Sequence, residues 1–327
     1  MNAPAATLTR PNFDVEAIRA DFPILSREVY GKPLVFLDTA ASSQTPRQVV
    51  DTIRDVYEND YSNVHRGIHY LSQRCTDRFE AARETVARFL KVKDSDNLIF
   101  TKGATEGLNL VAQSYARSTL KAGDEILISE LEHHSNIVPW QLVAQATGAK
   151  IRAIPILDDG QIDLEAYFKL LNPRTKIVAI TQVSNALGTV TPLAEMIPAA
   201  HAVGAKVVVD GCQATPHIAL DLPAMDCDFF VFSGHKVYGP NGIGILYGKP
   251  ELLEAMPPCF EAGTPPIVEA IALGTAIDYV TGIGLDAIAA HEHDLMTYAT
   301  EQLGQIKEVT LHGTAPGKAS IVSFTWK

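Results

Sequence analysis

Short apolar runs rich in β-branched residues recur along the chain, and stretches with helical periodicity lie between them. Runs this continuous are typical of strands that are covered on both faces, as in a parallel sheet. The alternation therefore predicts an α/β fold, a mostly parallel sheet with helices packed on both faces. The predicted strands are LVFLD (34–38), NLIFT (97–101), EILIS (125–129), KIRAIPI (150–156), KIVAIT (176–181), AKVVVD (205–210), FFVFS (229–233) and GIGILYG (242–248).

Helical patterns fill the gaps between these runs. Those over 135–148 and 193–204 each end on a glycine, the residue that most often terminates a helix. Further helices are predicted over 105–120, toward the end of 61–92, and over 285–306. The last segment, ASIVSFTWK (319–327), is strand-like, and a strand needs a partner to satisfy its backbone groups. We therefore expect the sequence to stop within a second, smaller domain.

Composition narrows the class of function. The 327 residues carry a formal net charge of -11, and no cluster of Lys and Arg suits a nucleic-acid surface. No apolar run reaches the roughly 18 residues needed to span a bilayer, and the N-terminus lacks the order of a signal peptide. We expect a cytoplasmic protein that acts on a small molecule, without nucleic-acid or membrane partners. The four cysteines lack metal-ligand spacing, so we expect free thiols and no metal site.

Polar side chains follow several of the predicted strands. Parallel strands present functional groups at their carboxyl ends, where loops gather around a ligand. Each of these residues alone has a structural explanation, such as helix capping, but together they indicate one site. The candidates are His133 and His134 after 125–129, Asn185 after 176–181, Asp210 at the end of 205–210, and Ser233, His235 and Lys236 at the end of 229–233.

Lys236 is the sharpest candidate, because partial burial beside a glycine-rich turn would lower its pKa and leave an amine able to attack a carbonyl. It could then hold an aldehyde cofactor, although a solvated turn lysine is the alternative. Asp210 would complement it, since pyridoxal phosphate works as an electron sink only while a carboxylate keeps its ring nitrogen protonated. His133 could stack on the ring, and Gln213 could reach the ring hydroxyl.

A phosphate group would need a cradle of hydrogen-bond donors. GATEG (103–107) at a predicted helix start offers backbone N–H groups and the hydroxyl of Thr105. Ser233 and His235 would add donors close to Lys236. The Gly-x-x-x-Gly pattern is weak evidence by itself, because small residues often open helices.

The order and spacing of longer motifs resemble a known family. HHSNIVPW, VSNALGT, VDGCQATPH and FSGHKVYGPNGIGILYG are similar to the class V aminotransferase group of fold-type I pyridoxal-phosphate enzymes. LDTAASSQTP, VHRGIHYLSQRCTDRFEAAR and FEAGTPP resemble cysteine desulfurases of the sulfur-mobilisation (SUF) type. The resemblance implies a seven-stranded type of sheet with an incomplete small domain. It divides the chain into an N-terminal segment (1–34) packing on the small domain, a large cofactor-binding domain (35–284) and the start of the small domain (285–327).

The resemblance also implies residue roles. Lys236 would bond the cofactor aldehyde and shuttle the Cα proton, Asp210 would pair with the ring nitrogen, His133 would stack on the ring, and Gln213 would bind its phenolic oxygen. Thr105, Ser233 and His235 would hold the phosphate, joined by Thr264 from the other subunit of a homodimer. Asn185 would position the substrate carboxylate. The implied reaction converts L-cysteine to L-alanine and passes sulfur to an acceptor protein for iron–sulfur cluster assembly.

The sequence departs from this family at its C-terminal end. The expected persulfide-forming cysteine and the arginine that clamps the substrate carboxylate are both missing, so we expect a C-terminally truncated chain. Cys259 is a weak substitute, because MPPCFEAG does not resemble a persulfide loop. Selenocysteine lyase or another class V activity stays open as an alternative. So does a catalytically incomplete protein of the same fold that acts as a dimerisation partner.

Overall fold

The computed structural model describes residues 13–259 and 263–327. Within these ranges, the strands are β1 (Glu28–Val29), β2 (Lys32–Pro33), β3 (Leu98–Thr101), β4 (Glu125–Ser129), β5 (Lys150–Ile154), β6 (Thr175–Thr181), β7 (Lys206–Asp210), β8 (Phe229–Ser233), β9 (Gly244–Gly248), β10 (Val309–His312) and β11 (Ser323–Trp326). Seven of them form one sheet in the order β3-β9-β8-β7-β6-β4-β5. The pairings from β8 to β5 are parallel, whereas β9 runs antiparallel to both neighbours. The predicted mostly parallel sheet is confirmed.

Helices connect the strands, as the alternation predicts. Gly148 ends the helix Val138–Thr147 in the left-handed conformation (φ 78°), and its N–H donates to the carbonyl of Ala144. The helix predicted over 105–120 is split by a wider π-helical stretch at Val111–Ala116. No single helix in the described ranges is long and apolar enough to cross a membrane, although the helices Ile267–Ile283 and Leu285–Gly304 pass that test as a pair bent by 73°. The helices are α1 (Val15–Ala20), α2 (Arg47–Asp55), α3 (Tyr70–Phe89), α4 (Ala104–Leu110), α5 (Arg117–Thr119), α6 (Val138–Thr147), α7 (Leu164–Leu170), α8 (Leu193–Ala202), α9 (Leu222–Met225), α10 (Pro250–Ala255), α11 (Ile267–Ile283) and α12 (Leu285–Gly304).

The sheet separates two buried layers. Successive strand residues point to opposite faces, so neighbouring residues of β6 enter different layers. Val178 joins the cluster that contains Met196 of α8, and Ile177 joins the cluster that contains Trp140 of α6. Burial on both faces explains why the central strands are continuous apolar runs, and it leaves their carboxyl ends as the place where polar groups meet a ligand.

Two strand predictions need correction. The segment LVFLD (34–38) is not a strand, and Val35 and Leu37 are 76% and 91% exposed. Its apolar content satisfies the strand pattern, but it pairs with no neighbouring strand among the described residues. The run at 150–156 is a strand only as far as Ile154, because Pro155 has no N–H to continue the ladder. This strand, β5, lies at one edge of the sheet, and most of its side chains are exposed or half-buried.

The C-terminal strand forms with a partner that sequence reasoning missed. β11 lies within the segment 319–327, and it pairs antiparallel with β10, from Val309 opposite Trp326 to His312 opposite Ser323. The chain before β11 packs on the loop after β6, where Ala319 N donates to Gly188 O over 2.8 Å. The division into segments 1–34, 35–284 and 285–327 stays a prediction, and residues 1–12 of the first lie outside the described residues.

Candidate active site

A cavity of about 200 Å³ lies at the carboxyl ends of the central strands. Parallel strands run in the same direction, so the loops that follow them meet at the same edge of the sheet. Eight of the nine residues predicted for cofactor binding line this one cavity: Thr105, His133, Asn185, Asp210, Gln213, Ser233, His235 and Lys236. Ala104, which belongs to the predicted phosphate cradle GATEG (103–107), also lines the cavity, together with Ala41, Ser135, Thr181, Val183 and Cys212.

Thr264 lies apart from this cavity. It lines a separate surface depression together with residues 63–66, Gly263 and Pro265. The three residues before Gly263, which belong to the FEAGTPP motif, lie outside the described residues. Thr264 therefore joins no other predicted cofactor residue within this chain.

Lys236 closes the short 3-10 turn Gly234–Lys236 that follows β8. Burial lowers the pKa of its amine, while the negative charges of Asp210 and Asp38 act in the opposite direction. The Nζ atom donates a hydrogen bond to the backbone carbonyl of Ala40. The residue is thus no solvated turn lysine but a partly desolvated amine held at the cavity.

Asp210 ends β7 and is only 4% exposed. Burial raises the pKa of its carboxyl, whereas the backbone N–H of Cys212 and the charges of His133 and Lys236 lower it. The Cys212 N–H lies 3.0 Å from Oδ1. A carboxylate that is buried against a cavity is costly unless a cation meets it. The site therefore favours a ligand with a positive group at this position.

A loop from the N-terminal part of the chain covers the lysine. Gln213 Nε2 donates to Ala40 O over 2.7 Å, so Ala40 O accepts from both Gln213 and Lys236. Ser43 fastens this loop, since its N–H and hydroxyl both donate to His235 O, at 2.9 and 2.8 Å. Its hydroxyl oxygen in turn accepts from Tyr238 N. The LDTAASSQTP motif thus supplies a backbone acceptor to the site.

The first turn of α4 meets the end of β8 at the cavity. Ala104 N donates to Ser233 Oγ over 2.9 Å. A Cβ on Gly244 would lie only 2.5 Å from the Cα of Gly103, so β9 and this turn approach as closely as glycine allows. Burial lowers the pKa of His235, which favours its neutral ring. Serine, backbone amide and imidazole donors are therefore gathered where the sequence predicts a phosphate cradle.

His133 stands on a turn anchored by a buried carboxyl. Its Nδ1 accepts from Ser135 N at 3.2 Å and lies 2.8 Å from Ser135 Oγ. The preceding residue, Glu132, is 8% exposed, and burial raises its pKa to about 7. Sequence reasoning missed Glu132, because a charged residue before a loop histidine is ordinarily assumed to be solvated.

The four cysteines are free, as expected, and they differ in environment. Cys75 and Cys227 are buried, Cys259 is exposed, and only Cys212 lines the cavity. Burial and the charge of Asp210 raise the pKa of the Cys212 thiol well above its ordinary value. A thiol held in its protonated form is a poor nucleophile, so Cys212 is unsuited to accept sulfur.

Comparison with known proteins identifies the family to which this chain is similar. Residues 35–259 and 257–327 match the family model for class V aminotransferases. The chain is 50% identical to a cysteine desulfurase of Synechococcus elongatus over 95% of its own length and 54% of the relative's. It is also 50% identical to a cysteine desulfurase of Dickeya dadantii, covering 92% of this chain and 79% of that one.

Solved structures give the same result. The fold matches a cysteine desulfurase CsdA from Escherichia coli, in its S-sulfonic acid form, with a TM-score of 0.86 and 37% identity. An apo cysteine desulfurase from Thermococcus onnurineus matches with a TM-score of 0.88 and 35% identity. Each match covers at least 95% of this chain and at least 82% of the solved one.

The fold and its relatives define the class as fold-type I α/β enzymes. The chain belongs to the class V aminotransferase family, and within it to the cysteine desulfurases. It spans about half the length of the Synechococcus relative and about four fifths of the Dickeya one.

Proposed function

We propose that this chain binds pyridoxal 5'-phosphate in the cavity and acts as a cysteine desulfurase of the SUF type, converting L-cysteine to L-alanine. The proposal depends mainly on one observation: a partly desolvated amine, Lys236, and a buried carboxylate, Asp210, line the same cavity. The names of the relatives support the choice of substrate.

The donor set fits this cofactor. Asp210 would hold the protonated ring nitrogen, because the buried carboxylate otherwise faces the cavity without a full counter-charge. His133 would cover the ring, and Gln213 would exchange its bond to Ala40 for one to the phenolic oxygen. Thr105, Ser233 and His235 would bind the phosphate. When bound, the cofactor supplies an electron sink that weakens the bonds at the substrate Cα.

The residues of the chain perform the remaining steps. Lys236 has a lowered pKa, so its Nζ can accept the proton from the substrate Cα and return it later. Asn185 is exposed at the rim of the cavity, which suits contact with the substrate carboxylate. The Ala40 loop must release Lys236 before the amine can react, since Nζ donates to its carbonyl.

Sulfur transfer needs a thiol from outside this cavity. The Cβ–S bond of L-cysteine breaks, the sulfur forms an S–S bond with an acceptor thiol to give a persulfide, and Cβ gains a proton to give L-alanine. Cys212 is unsuited to that role because its thiol stays protonated. We propose that a sulfur-acceptor protein of iron–sulfur assembly receives the sulfur, and that the enzyme works in the cytoplasm.

We also propose a homodimer. Thr264 lies away from the cavity of its own chain, in a depression beside residues 63–66. This separation agrees with a threonine that contributes to the site of a second subunit. Sedimentation of the purified chain should show a dimer. The Thr264→Ala variant should bind the cofactor more weakly than wild type. A monomer that binds cofactor normally would contradict it.

Cofactor binding provides the main test. Titration of the chain with pyridoxal phosphate should produce the visible absorbance of a lysine-bound cofactor, and Lys236→Ala should abolish it. Lys249→Ala is the matched control, because Lys249 pairs with Asp226 outside the cavity. Borohydride reduction followed by peptide mass mapping should place the label on Lys236. A label on another lysine would refute the assignment.

Activity is tested separately. L-Alanine and sulfide should be released from L-cysteine in the presence of a thiol reductant, and the Cys212→Ser variant should keep this activity. A chain that binds the cofactor but releases no alanine would refute the desulfurase assignment while leaving the cofactor site intact.

A further inference from the structure

Glu132 is the residue before the cavity-lining His133, and its carboxyl links three separate segments of the chain. Its Oε1 accepts from Ser129 Oγ at 2.5 Å and from Thr181 N at 3.0 Å. Its Oε2 accepts from Asn136 Nδ2 at 2.6 Å. One carboxyl thus joins the end of β4, the end of β6 and the turn that leads into α6.

The network continues on both sides of this carboxyl. Asn136 Oδ1 accepts from the fully buried indole N–H of Trp140, at 2.9 Å, which fixes the amide orientation. The Thr181 hydroxyl donates to Val183 O, and Thr181 and Val183 both line the cavity. His133 is the next residue after Glu132. The turn that carries His133 is therefore fastened to the sheet at both ends.

The partners of Glu132 favour its ionised form. The Nδ2 group of Asn136 and the N–H of Thr181 can only donate, and among these three partners only the Ser129 hydroxyl could accept a hydrogen bond from a protonated carboxyl. Burial and the neighbouring charge of Asp210 oppose ionisation. His133 and Lys236 in turn lower the pKa of Asp210, so the four groups form one electrostatic unit around the cavity.

We propose that Glu132 is a positioning residue of the proposed cofactor site: its ionised carboxylate clamps the turn 129–136 to the end of β6 and so holds the His133 ring at the cavity. The inference rests on the proposed function for the identity of the bound ring, although the clamp itself is a property of the protein without cofactor. Protonation of Glu132 requires the Ser129 hydroxyl to reverse its bond, which loosens the clamp.

Glu132→Gln is the main test, because it keeps the size of the side chain but turns an NH₂ group toward the donor amide of Asn136. Glu130→Gln is the matched control, since Glu130 is an exposed residue of the same turn. The first readout is the His133 ring resonances of the cofactor-free protein, identified by their loss in His133→Asn. We expect them to shift in Glu132→Gln and to stay unchanged in Glu130→Gln.

The second readout is the dissociation constant for pyridoxal phosphate at pH 6 and pH 8. We expect Glu132→Gln to weaken binding about 10-fold at pH 8, where the wild-type carboxyl is ionised, and by less at pH 6. A purely structural defect would weaken binding equally at both pH values, which would overturn the proposal. Glu132→Asp, which keeps the charge on a shorter side chain, should restore part of the affinity at pH 8.

The outcomes separate the two proposals. If wild type and Glu130→Gln both fail to bind the cofactor, the proposed function is refuted. The clamp is then judged from the cofactor-free protein: shifted His133 resonances in Glu132→Gln support it, and unchanged resonances overturn it. If Glu132→Gln does not fold, the pH titration of the wild-type His133 resonances decides. An inflection that follows the carboxyl of Glu132 supports the clamp, and its absence overturns it.

Discussion

Gly211 sits between the aspartate of the site and the core, and it has no room for a side chain. A Cβ at this position would lie 1.9 Å from Cζ of Phe230 and 2.4 and 2.7 Å from its two Cε atoms. The Gly211 N–H also donates to Val231 O at 2.8 Å, which ties the end of β7 to β8. Neither the backbone nor the ring can move away independently.

The magnitude of a Gly211→Ala change follows from these distances. An ordinary contact begins near 3.4 Å, so the Phe230 ring would have to withdraw by about 1.5 Å. Phe230 is fully buried in a close-packed layer, where such movement strains its neighbours. Overpacking typically costs about 1–3 kcal/mol, and we expect this variant to lie near the upper end, about 3 kcal/mol. Because Asp210 is the adjacent residue, cofactor affinity should fall as well.

Denaturant unfolding of four chains measures this effect: wild type, Gly211→Ala, Phe230→Leu and the double variant. Leucine lacks the Cζ and Cε atoms, so the double variant should be more stable than the sum of the single changes implies, by about 1 kcal/mol or more. Gly282→Ala is the control, since a Cβ there meets nothing within 4 Å. If the free energy of unfolding of Gly211→Ala lies within about 0.5 kcal/mol of the wild-type value, the close approach of Gly211 to Phe230 is refuted.

Three other measurements address the site and the fold. Burial raises the pKa of Glu132 in the folded protein from 4.5 to about 7, so the free energy of unfolding should fall by about 3 kcal/mol as the pH rises from 4.5 to 7. Denaturant unfolding measured at several pH values should show a smaller fall for Glu132→Gln than for wild type. Asp210→Asn should weaken pyridoxal phosphate binding by roughly 10- to 100-fold in a visible-absorbance titration, because a charge-assisted hydrogen bond is lost. In helix α11, Gly274→Ala should destabilise the protein against chemical denaturation, since its Cβ would lie 2.9 Å from that of Ala82, whereas Gly282→Ala should stabilise it by roughly 0.5 kcal/mol.

The fold could be predicted where burial of an element produces a recognisable pattern of apolar residues in the sequence. The central strands are covered on both faces, so their sequences are continuous apolar runs and their bounds were predicted within one or two residues. The same pattern failed at 34–38, because an apolar run does not reveal whether a neighbouring strand exists. β10 was missed for the opposite reason, since its side chains are half-buried or exposed and leave no apolar run.

The candidate site could be predicted where a side chain has a characteristic chemistry at a strand end. Lys236 and Asp210 were found in this way, because each directly follows or ends a strand that the sequence marks clearly. Glu132 was missed because a carboxylate in a loop is normally solvated. Its burial depends on Thr181, which is 49 residues away in the chain, and on Trp140, whose indole fixes the amide of Asn136.

The Ala40 carbonyl was missed because a backbone oxygen has no residue type, yet it contacts the most reactive group of the site. It accepts from Lys236 and from Gln213, and both bonds depend on the loop that Ser43 fastens to the 233–238 turn. If the proposed cofactor bonds to Lys236 and contacts Gln213, both side chains would have to give up their hydrogen bonds to the Ala40 carbonyl. The loop would then depend on the contacts of Ser43 to His235 and Tyr238, which do not involve these two side chains. The free energy of the proposed cofactor binding would therefore include the cost of releasing the Ala40 carbonyl, and we expect the Ser43 contacts to limit how far the loop moves.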